Sequence, residues 1–589
     1  MTRKSGILLH PTSLPGRWGI GDLGDAAYTF VDFLAATGQQ LWQVMPLGPT
    51  GYGDSPYQGF SAFAGNPLLI SLDRLLAQGL LASDDLAGAP QFSDQSVDYG
   101  AVIPFKQAAL RRSFEHFKHA ASQAQRDAFA AFRTEQRAWL ADYALFAALK
   151  DAHGGASWNG WEPSIARREA PAVGEWGSRL SAETERHAYM QWLFFEQWRE
   201  LKAYANVRGI QIIGDIPIFV AYDSADVWAN RAIFELDDAG APTVVAGVPP
   251  DYFSATGQLW GNPLYRWDVL KEAGYAWWIE RFRTTLTLVD IARIDHFRGF
   301  AAYWEVPASE STAVNGRWVP APGRQLFDAV RAALEMRPMR PKKIGAARWR
   351  PLVSFGGEEE DRTPDLRIAN ATLSQLSYPP TTARILANFA HPSSRMQRMT
   401  SRDPAWLDAQ YNNRARVAEA PRILERWAQA SALAREQSDC VLDVPYGDAP
   451  SETLDLFRTR APQAPVFVFI HGGWWRALGD MDHHNVRVYL ARDVNEHTVS
   501  WDFIRLALAS VAEMAIVPMQ DVFALGSEGR MNTPGQAGGN WTWRYKPEML
   551  TVDLAERLRA LAATYGRVKK PPKPAAEESN TGRPVEEAV

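Results

Sequence analysis

The sequence predicts an α/β fold, and the architecture that suits it best is a (β/α)8 TIM barrel with helical insertions. Three observations lead to this prediction. Apolar runs of strand length end in turns rich in glycine, proline or charged residues, and segments of helical periodicity separate these runs. Polar side chains also cluster after the carboxyl ends of the runs, where a parallel barrel keeps its chemistry.

Four apolar runs are predicted strands, because near-continuous apolar character suits parallel strands that are covered on both faces. They are residues 6–10 (GILLH), 41–46 (LWQVMP), 211–218 (QIIGDIPI) and 288–295 (LVDIARID). Residues 514–525 (MAIVPMQDVFAL) form a further strand-like run. The long interval of about 68–183 is mostly helical in pattern and is predicted to be an insertion, and residues 183–207 repeat apolar side chains at three- and four-residue spacing.

Composition and charge exclude several classes of protein. The 589 residues contain 62 Lys and Arg against 67 Asp and Glu, so no strongly basic domain indicates a nucleic-acid partner. The single cysteine, Cys440, excludes an internal disulfide and fits a reducing compartment. No secretory signal and no membrane-spanning apolar stretch is found. We therefore expect a cytoplasmic protein with no membrane or nucleic-acid partner.

The 23 tryptophans offer broad apolar faces with one N–H donor each, which suits stacking under a sugar ring. Most large aromatic residues simply fill a core. Trp158, Trp260 and Trp541 differ because each adjoins glycine or asparagine. These three are the tryptophan candidates for contact with a ligand.

Two lone carboxylates follow apolar strands. Asp215 and Asp295 would each need a partner, because a buried charge without one is costly. Arg293 and Arg298 flank Asp295 in sequence and are expected to hold it ionised. A positioned carboxylate can attack an anomeric carbon, as in the two-carboxylate chemistry of glycoside cleavage. The alternative is a structural Asp–Arg ion pair at the barrel rim.

Two loops carry aromatic residues beside glycine and proline. Residues 247–265 (GVPPDYFSATGQLWGNPLY) have too much Gly and Pro for a regular element, so they are either a lid over a ligand or an ordered surface loop without function. In residues 50–58 (TGYGDSPYQ), Tyr52 and Tyr57 offer stacking faces.

Six blocks, in the same order along the chain, resemble amylomaltase, the 4-α-glucanotransferase family. They are residues 10–15 (HPTSLP), 51–58 (GYGDSPYQ), 61–67 (SAFAGNP), 214–230 (GDIPIFVAYDSADVWAN), 248–265 and 293–300 (RIDHFRGF). The resemblance covers about 1–336 and resumes at about 483–565, including residues 531–544 (MNTPGQAGGNWTWR). Six ordered blocks are far more specific than one motif.

The resemblance implies a (β/α)8 barrel that transfers α-1,4-glucan segments between maltooligosaccharides by a retaining double displacement, without metal or organic cofactor. It implies that Asp295 is the nucleophile, that Arg293 and His296 hold the nucleophile and the donor sugar, and that Asp215 binds hydroxyls near the scissile bond. Tyr57 would stack on the donor. The residues of the lid loop over the acceptor would be Asp251, Phe253 and Trp260.

The sequence departs from the family between residues 337 and 482. The family's general acid/base is the Glu of an AEDLG-type block, and a third carboxylate comes from a THDND-type block; both blocks are absent here. The general acid/base is therefore unknown. Residues 358–361 and the pair Asp480 and Asp482 are acidic but follow no apolar strand. The barrel is predicted to be incomplete.

This departure predicts the domain organisation. Residues 1–336 and 483–569 would be the N- and C-terminal parts of the barrel, 337–482 a foreign segment, and 570–589 a disordered tail. Within the foreign segment, 337–400 is predicted to be disordered and 400–482 to be an α/β-hydrolase-like fragment.

The hydrolase-like part depends on residues 466–475 (VFVFIHGGWW), which resemble the oxyanion-hole strand of an esterase. The absence of a G-x-S-x-G elbow argues against a hydrolase. The alternatives to an active glucanotransferase are a catalytically impaired glucan-binding remnant and a chimeric chain that lacks the acid/base Glu.

Overall fold

A computed structural model describes residues 3–250, 254–334, 499–510, 512–533 and 538–568, together with the backbone of two strands at 440–445 and 453–457. The predicted disorder at 337–400, the strand at 466–470 and the tail at 570–589 lie outside the described residues.

Eleven strands occur in the described part of the chain, in three sheets. They are β1 (Lys4–Leu8), β2 (Leu41–Gln43), β3 (Gln211–Pro217), β4 (Val244–Val248), β5 (Gln258–Pro263), β6 (Ile291–Asp295), β7 (Ala302–Pro307), β8 (Arg317–Pro320), β9 (Cys440–Pro445), β10 (Thr453–Phe457) and β11 (Met514–Pro518).

Fifteen α-helices accompany these strands in the same described residues. They are α1 (Asp25–Ala36), α2 (Leu72–Ala77), α3 (Tyr99–Ala120), α4 (Gln123–Glu135), α5 (Leu140–Ala152), α6 (Pro163–Ala166), α7 (Ala170–Arg179), α8 (Ser181–Val207), α9 (Ala225–Ala229), α10 (Trp267–Glu272), α11 (Ala276–Leu288), α12 (Gly323–Ala333), α13 (Val499–Ala509), α14 (Met519–Val522) and α15 (Val552–Thr564).

The sheet that positions the site is parallel, with the strand order β11-β1-β2-β3-β6. Its strands are connected through helices, so the predicted α/β class is confirmed. The closed eight-stranded barrel stays a prediction. Because all five strands run in the same direction, their carboxyl ends lie along one edge of the sheet.

The two ends of the described chain meet in this sheet. β1 pairs with β11 from Lys4 opposite Met514 to Leu8 opposite Pro518. Arg567, which is fully buried, fixes this junction: its guanidinium donates to the carbonyl oxygens of Lys4 at 2.7 Å and of Leu508 at 2.6 Å. The first strand therefore depends on the last part of the chain.

Several predicted strand boundaries are wrong: the run at 6–10 corresponds to Lys4–Leu8, and the run at 41–46 is a strand only as far as Gln43. β6 begins only at Ile291, because Leu288 is the last residue of α11. The run at 514–525 is a strand only as far as Pro518. The apolar side chains of Met519 and Val522 then lie three residues apart on the buried face of α14, a spacing that suits a helix.

Helices α2 to α8 lie between β2 and β3 and pack around aromatic side chains. α8 supplies Tyr189 and Trp192, and their ring centroids lie 4.8 and 5.5 Å from that of Phe117 on α3. Phe129 on α4 completes the cluster, at 5.8 Å from Trp192. The start of α4 is capped by Ser122, whose hydroxyl accepts a hydrogen bond from the backbone N–H of Gln125.

A second sheet is antiparallel, with the order β5-β4-β7-β8. It corrects the prediction that residues 247–265 contain no regular element, because β4 ends at Val248 and β5 spans Gln258–Pro263. Proline and glycine concentrate at the hairpin end. Gly257, next to the start of β5, adopts φ +67°, which side-chain-bearing residues rarely do. The pairing of β4 with β5 shifts register between Val245 and Gly247.

A short antiparallel pair, β9 with β10, is the third sheet. In the described part of the chain, no helix is both long enough and apolar enough to cross a membrane.

Candidate active site

A cavity of about 690 Å³ opens at the carboxyl edge of the parallel sheet. Every strand of this sheet contributes to its wall, either by its last residues or by the residues that follow it. Examples are His10 after β1, Met45 after β2, Asp215 in β3, Asp295 in β6 and Gln520 after β11. The cavity therefore lies at the edge where the polar clusters of the sequence predicted a functional site.

Arg293 joins the two carboxylates of the cavity. Its Nη1 donates to Asp215 Oδ1 at 2.6 Å, and its Nη2 donates to Asp295 Oδ1 at 3.0 Å. One guanidinium thus fixes both anions through separate nitrogens.

Strand register explains this arrangement. In the β3–β6 pair, Asp215 lies opposite Arg293, and Pro217 lies opposite Asp295. Side chains two residues apart point to the same face of a strand, so Arg293 and Asp295 face the cavity together. A shift of one residue would turn all of these groups into the helical layer.

Tyr57 adds a second hydrogen bond to Asp215. Its hydroxyl donates to Asp215 Oδ2 at 2.8 Å. The loop that carries Tyr57 is closed at its base by a bridge between Thr50 and Gly59. Burial and the neighbouring carboxylates raise the pKa of Tyr57 well above its usual value, so this hydroxyl is a donor at every physiological pH.

The two carboxylates differ in burial, and burial raises the pKa of both. The side chain of Asp215 is 2% exposed and that of Asp295 is 22% exposed. Burial raises the pKa of Asp215 to about 6, although Arg293 opposes this effect. Burial also raises the pKa of Asp295, again against the opposing effect of Arg293. On Arg293 itself the two carboxylates outweigh burial, and its pKa is raised.

The expectation that Arg298 helps to hold Asp295 ionised is wrong. Its guanidinium carbon lies 3.7 Å from the ring centroid of Trp318 on β8. The cause is local: His296 adopts a left-handed conformation with φ 48° and ψ 44°, and a 3₁₀ turn follows over Phe297–Phe300. This turn carries Arg298 towards the antiparallel sheet, so Arg293 alone pairs with Asp295 in the described residues.

His296 and Trp260 form the side of the cavity next to Asp295. Their ring centroids lie 4.8 Å apart with an interplanar angle of 79°. Burial, and then the charge of Arg298, lowers the pKa of His296 to about 4. The imidazole is therefore neutral at pH 7 and can hydrogen bond to a neutral ligand.

The structure brings six of the predicted residues to one cavity. They are Tyr57, Asp215, Trp260, Arg293, Asp295 and His296. Asp251 and Phe253, the other two residues predicted for the lid, lie outside the described residues. Of the other tryptophan candidates, Trp541 lines the cavity, whereas Trp158 is fully buried and donates to the carbonyl oxygen of Tyr222 at 2.8 Å. The sugar-contact hypothesis for Trp158 is therefore wrong.

Sequence reasoning missed much of the wall that follows β11. Gln520, Asp521, Arg530 and Asn532 line the cavity together with Met531. Asp215 and Asp295 were selected because they lie near the carboxyl ends of parallel strands, and the residues after β11 also adjoin such an end. Because the strand-like run was predicted to continue to residue 525, Gln520 and Asp521 were assigned to it rather than to the cavity wall that follows the strand. Trp541 closes this side, with its ring centroid 6.1 Å from that of Tyr57.

The described residues contain no group of three or more His, Cys, Asp or Glu side chains that could hold a metal ion. The side chains that line the cavity can form hydrogen bonds with a ligand, stack on it and attack it with a carboxylate.

Comparison with known proteins gives a consistent result. A family model described as 4-alpha-glucanotransferase matches residues 9–344 and 471–551. The chain is 44% identical to a 4-alpha-glucanotransferase of Synechocystis sp. over 96% of this chain and 98% of the relative. It is 43% identical to a Thermus thermophilus protein of the same name, over 96% and 100% of the two chains.

A solved structure is also similar to this chain. It is an amylomaltase from Streptococcus agalactiae in complex with acarbose, with a TM-score of 0.71 and 31% sequence identity. The match covers 96% of this chain and all of the other.

Proposed function

The chain belongs to the 4-alpha-glucanotransferase family, and we propose that it transfers α-1,4-glucan segments between maltooligosaccharides by a retaining double displacement. One observation carries this proposal: Asp295 faces the cavity and is held by Arg293, next to a neutral His296 and the ring of Trp260. A carboxylate in this setting suits attack on a sugar rather than a purely structural ion pair, because the wall beside it is neutral and aromatic.

In the first step, a carboxylate oxygen of Asp295 attacks the anomeric carbon of a bound glucan. The bond from that carbon to the glycosidic oxygen breaks, and the leaving oxygen takes a proton from a general acid. In the second step, the 4-hydroxyl of an acceptor glucan attacks the same carbon, its proton passes to the conjugate base of that general acid, and the bond to Asp295 breaks. Two inversions at one carbon give net retention.

Arg293 positions the nucleophile, because its Nη2 donates a hydrogen bond to Oδ1 of Asp295. Asp215 is proposed to accept hydrogen bonds from sugar hydroxyls near the scissile bond, and Tyr57 to stack on the donor sugar. The hydrogen bond between Tyr57 and Asp215 supports this, because it holds both side chains against the same part of the cavity.

Asp215 is not proposed as the general acid. Both of its oxygens already accept hydrogen bonds, from Arg293 and from Tyr57. The acidic residues 358–361, Asp480 and Asp482 lie outside the described residues. The acid/base therefore stays unassigned.

Transfer rather than hydrolysis requires that the acceptor excludes water from the glycosyl-enzyme. We infer that residues 251–253 and Trp260 form a lid over the acceptor. The position of Trp260 on β5, at the cavity wall, supports this role, because residues 251–253 belong to the connection that leads into this strand.

We also propose that residues 1–336 and 483–569 are two parts of one barrel, which residues 337–482 leave incomplete. The pairing of β1 with β11 supports the first statement, because it joins the two parts in one sheet. The gap between the family matches at 344 and 471 supports the second.

A second candidate function is glucan binding without transfer. That same gap favours it, because the family's acid/base block would fall there. Loss of general acid catalysis costs about 10²- to 10⁴-fold in rate.

The test is to incubate the purified chain with maltotriose and to resolve the products by chromatography. We expect glucose together with longer maltooligosaccharides, and α-configured products when the reaction is followed by NMR. Calorimetric titration with maltotetraose provides a parallel measure of binding. Binding without products would establish the second candidate, and the absence of both would overturn the proposal.

A further inference from the structure

His10 is a buried polar residue in the cavity wall. It follows β1, is 4% exposed and lines the same cavity as Asp215 and Asp295. The backbone around it is fixed: Trp42 Nε1 donates to the carbonyl oxygen of Leu9 at 2.8 Å, and the N–H of Ser13 donates to the carbonyl oxygen of His10 at 3.0 Å. The ring is therefore held in place by the turn that carries it.

The imidazole of His10 has unused hydrogen-bonding capacity. Nδ1 is buried and has no partner in the described part of the chain. Nε2 also has no partner there, but it is not among the fully buried atoms. Since the ring lines the cavity and the residue is almost entirely buried, we take Nε2 to be the edge that faces the open space.

The protonation state follows from this burial. Desolvation lowers the pKa of His10 to about 3, so the ring is neutral and carries a single N–H. A buried N–H without an acceptor costs about 1–3 kcal/mol. The proton is therefore better placed on Nε2, where it faces the cavity, than on Nδ1, where nothing accepts it.

A second buried histidine shows the ordinary alternative. His187 on α8 is 9% exposed, and its Nε2 lies 2.9 Å from Asp151 Oδ2. The protein itself therefore supplies a hydrogen-bond partner for the ring of His187. The ring of His10 lacks such a partner and adjoins the cavity, which indicates that a ligand supplies the acceptor.

We propose that His10 is a substrate-positioning residue that donates its Nε2–H to an oxygen of the bound glucan. This inference rests on the proposed function and adds a residue from β1 to the substrate contacts. A glucan suits the site because its hydroxyl and ether oxygens are neutral acceptors, and a neutral imidazole offers no charge to attract an anion.

The experiment uses the full chain with Asp295→Asn in the background, so that binding is measured without turnover. Maltotetraose is titrated calorimetrically into this chain and into versions that also carry His10→Leu, His10→Asn or His10→Gln. We expect His10→Leu and His10→Asn to weaken binding about five- to tenfold, since one hydrogen bond is lost. His10→Gln should restore part of this affinity, because the glutamine amide reaches the position of Nε2 and the asparagine amide reaches that of Nδ1.

His187→Gln is the matched control and should lower the melting temperature without changing affinity. Unchanged affinity in all three His10 variants would overturn the inference, and so would an equal loss in His10→Gln and His10→Leu. If maltotetraose does not bind before His10 is changed, the proposed function itself has failed.

Discussion

Helices α2 to α8, which lie between β2 and β3 and are here called the helical insertion, are rich in aromatic side chains, and so is the cavity. The two regions use these side chains differently. In the insertion, Phe117, Tyr189 and Trp192 pack against one another and are almost fully buried. In the cavity, Trp260 and Trp541 each keep part of the ring in the open space. The abundance of tryptophan therefore says little about sugar binding, and the position of each ring relative to the strand ends decides its role.

The carboxylates of the two regions differ in the same way. Asp151 in the insertion is partly exposed; burial alone would raise its pKa, but the hydrogen bond with His187 and nearby charges lower it overall. Asp215 is buried, and its pKa is raised to about 6 despite Arg293. The insertion stabilises its anion, whereas the cavity holds an anion that its surroundings disfavour, which is typical of functional sites.

The largest expected difference between the two regions is catalytic. Asp295→Asn removes the proposed nucleophile and should reduce transfer by about 10⁴-fold or more, with the fold retained. Asp151→Asn should leave the rate per folded molecule unchanged. Both are measured with maltotriose and by thermal unfolding. Residual transfer in Asp295→Asn close to the unsubstituted rate would assign the nucleophile elsewhere.

The next difference concerns the aromatic rings. Trp192→Ala leaves a cavity in the insertion and should lower the free energy of unfolding by about 3–5 kcal/mol. Trp260→Ala should cost much less stability, because its ring is already partly exposed, and should instead raise KM for the acceptor. Denaturant unfolding and acceptor-dependent kinetics separate the two. Equal stability losses would mean that Trp260 is a core residue.

The third difference concerns pH. The folded pKa of Asp215 is raised from 3.8 to about 6, so its contribution to stability is full below pH 3.8 and is lost as the pH rises through about 6. Asp215→Asn, which mimics the neutral acid, should therefore stabilise the chain by up to about 3 kcal/mol at pH 7.5 and by little near pH 4.

Asp151→Asn is the control of opposite sign. The folded pKa of Asp151 is lowered, so its anion adds stability above the unfolded pKa, and the substitution should destabilise the chain at pH 7.5. Denaturant unfolding at several pH values measures both variants. A loss of stability in Asp215→Asn at pH 7.5 would contradict the raised pKa.

The smallest expected effect is that of Tyr57→Phe. The hydrogen bond from Tyr57 lowers the pKa of Asp215, so its removal should raise that pKa further and move the acidic limb of the activity profile to higher pH. Tyr189→Phe, in the insertion, loses a hydroxyl pair with Ser113 and should leave the profile unchanged. If the two variants have identical pH profiles, the hydroxyl of Tyr57 does not influence the ionisation of Asp215.

The sequence predicts the α/β class and the edge of the sheet where the site lies, because both depend on patterns that neighbouring residues share. Asp215 and Asp295 are predicted in this way, since Asp215 follows the apolar residues 212–214 and Asp295 ends the run at 288–295. The proposed roles of Tyr57 and Trp260 come from the resemblance to the amylomaltase family. Glycine, proline and aromatic residues mark the two loops, but this composition does not show which loop packs against the cavity.

Other features depend on single dihedral angles or on distant partners. The left-handed His296 turns Arg298 away from Asp295, and no periodicity signals such a turn. The antiparallel sheet pairs β4 with β7 across more than fifty residues, so its register is not a local property. The unpartnered ring of His10 is visible only when all of its neighbours are known.

The pairing of Lys4 on β1 with Met514 on β11 has a consequence for biosynthesis. A ribosome adds about 5–20 residues per second, so roughly 25–100 seconds separate the emergence of these two strands. During that time the edge of β1 that later pairs with β11 lacks this partner, and an open strand edge can pair with another chain. Asp295 is synthesised long before the wall that follows β11, so the cavity can be completed only after Trp541 has been added.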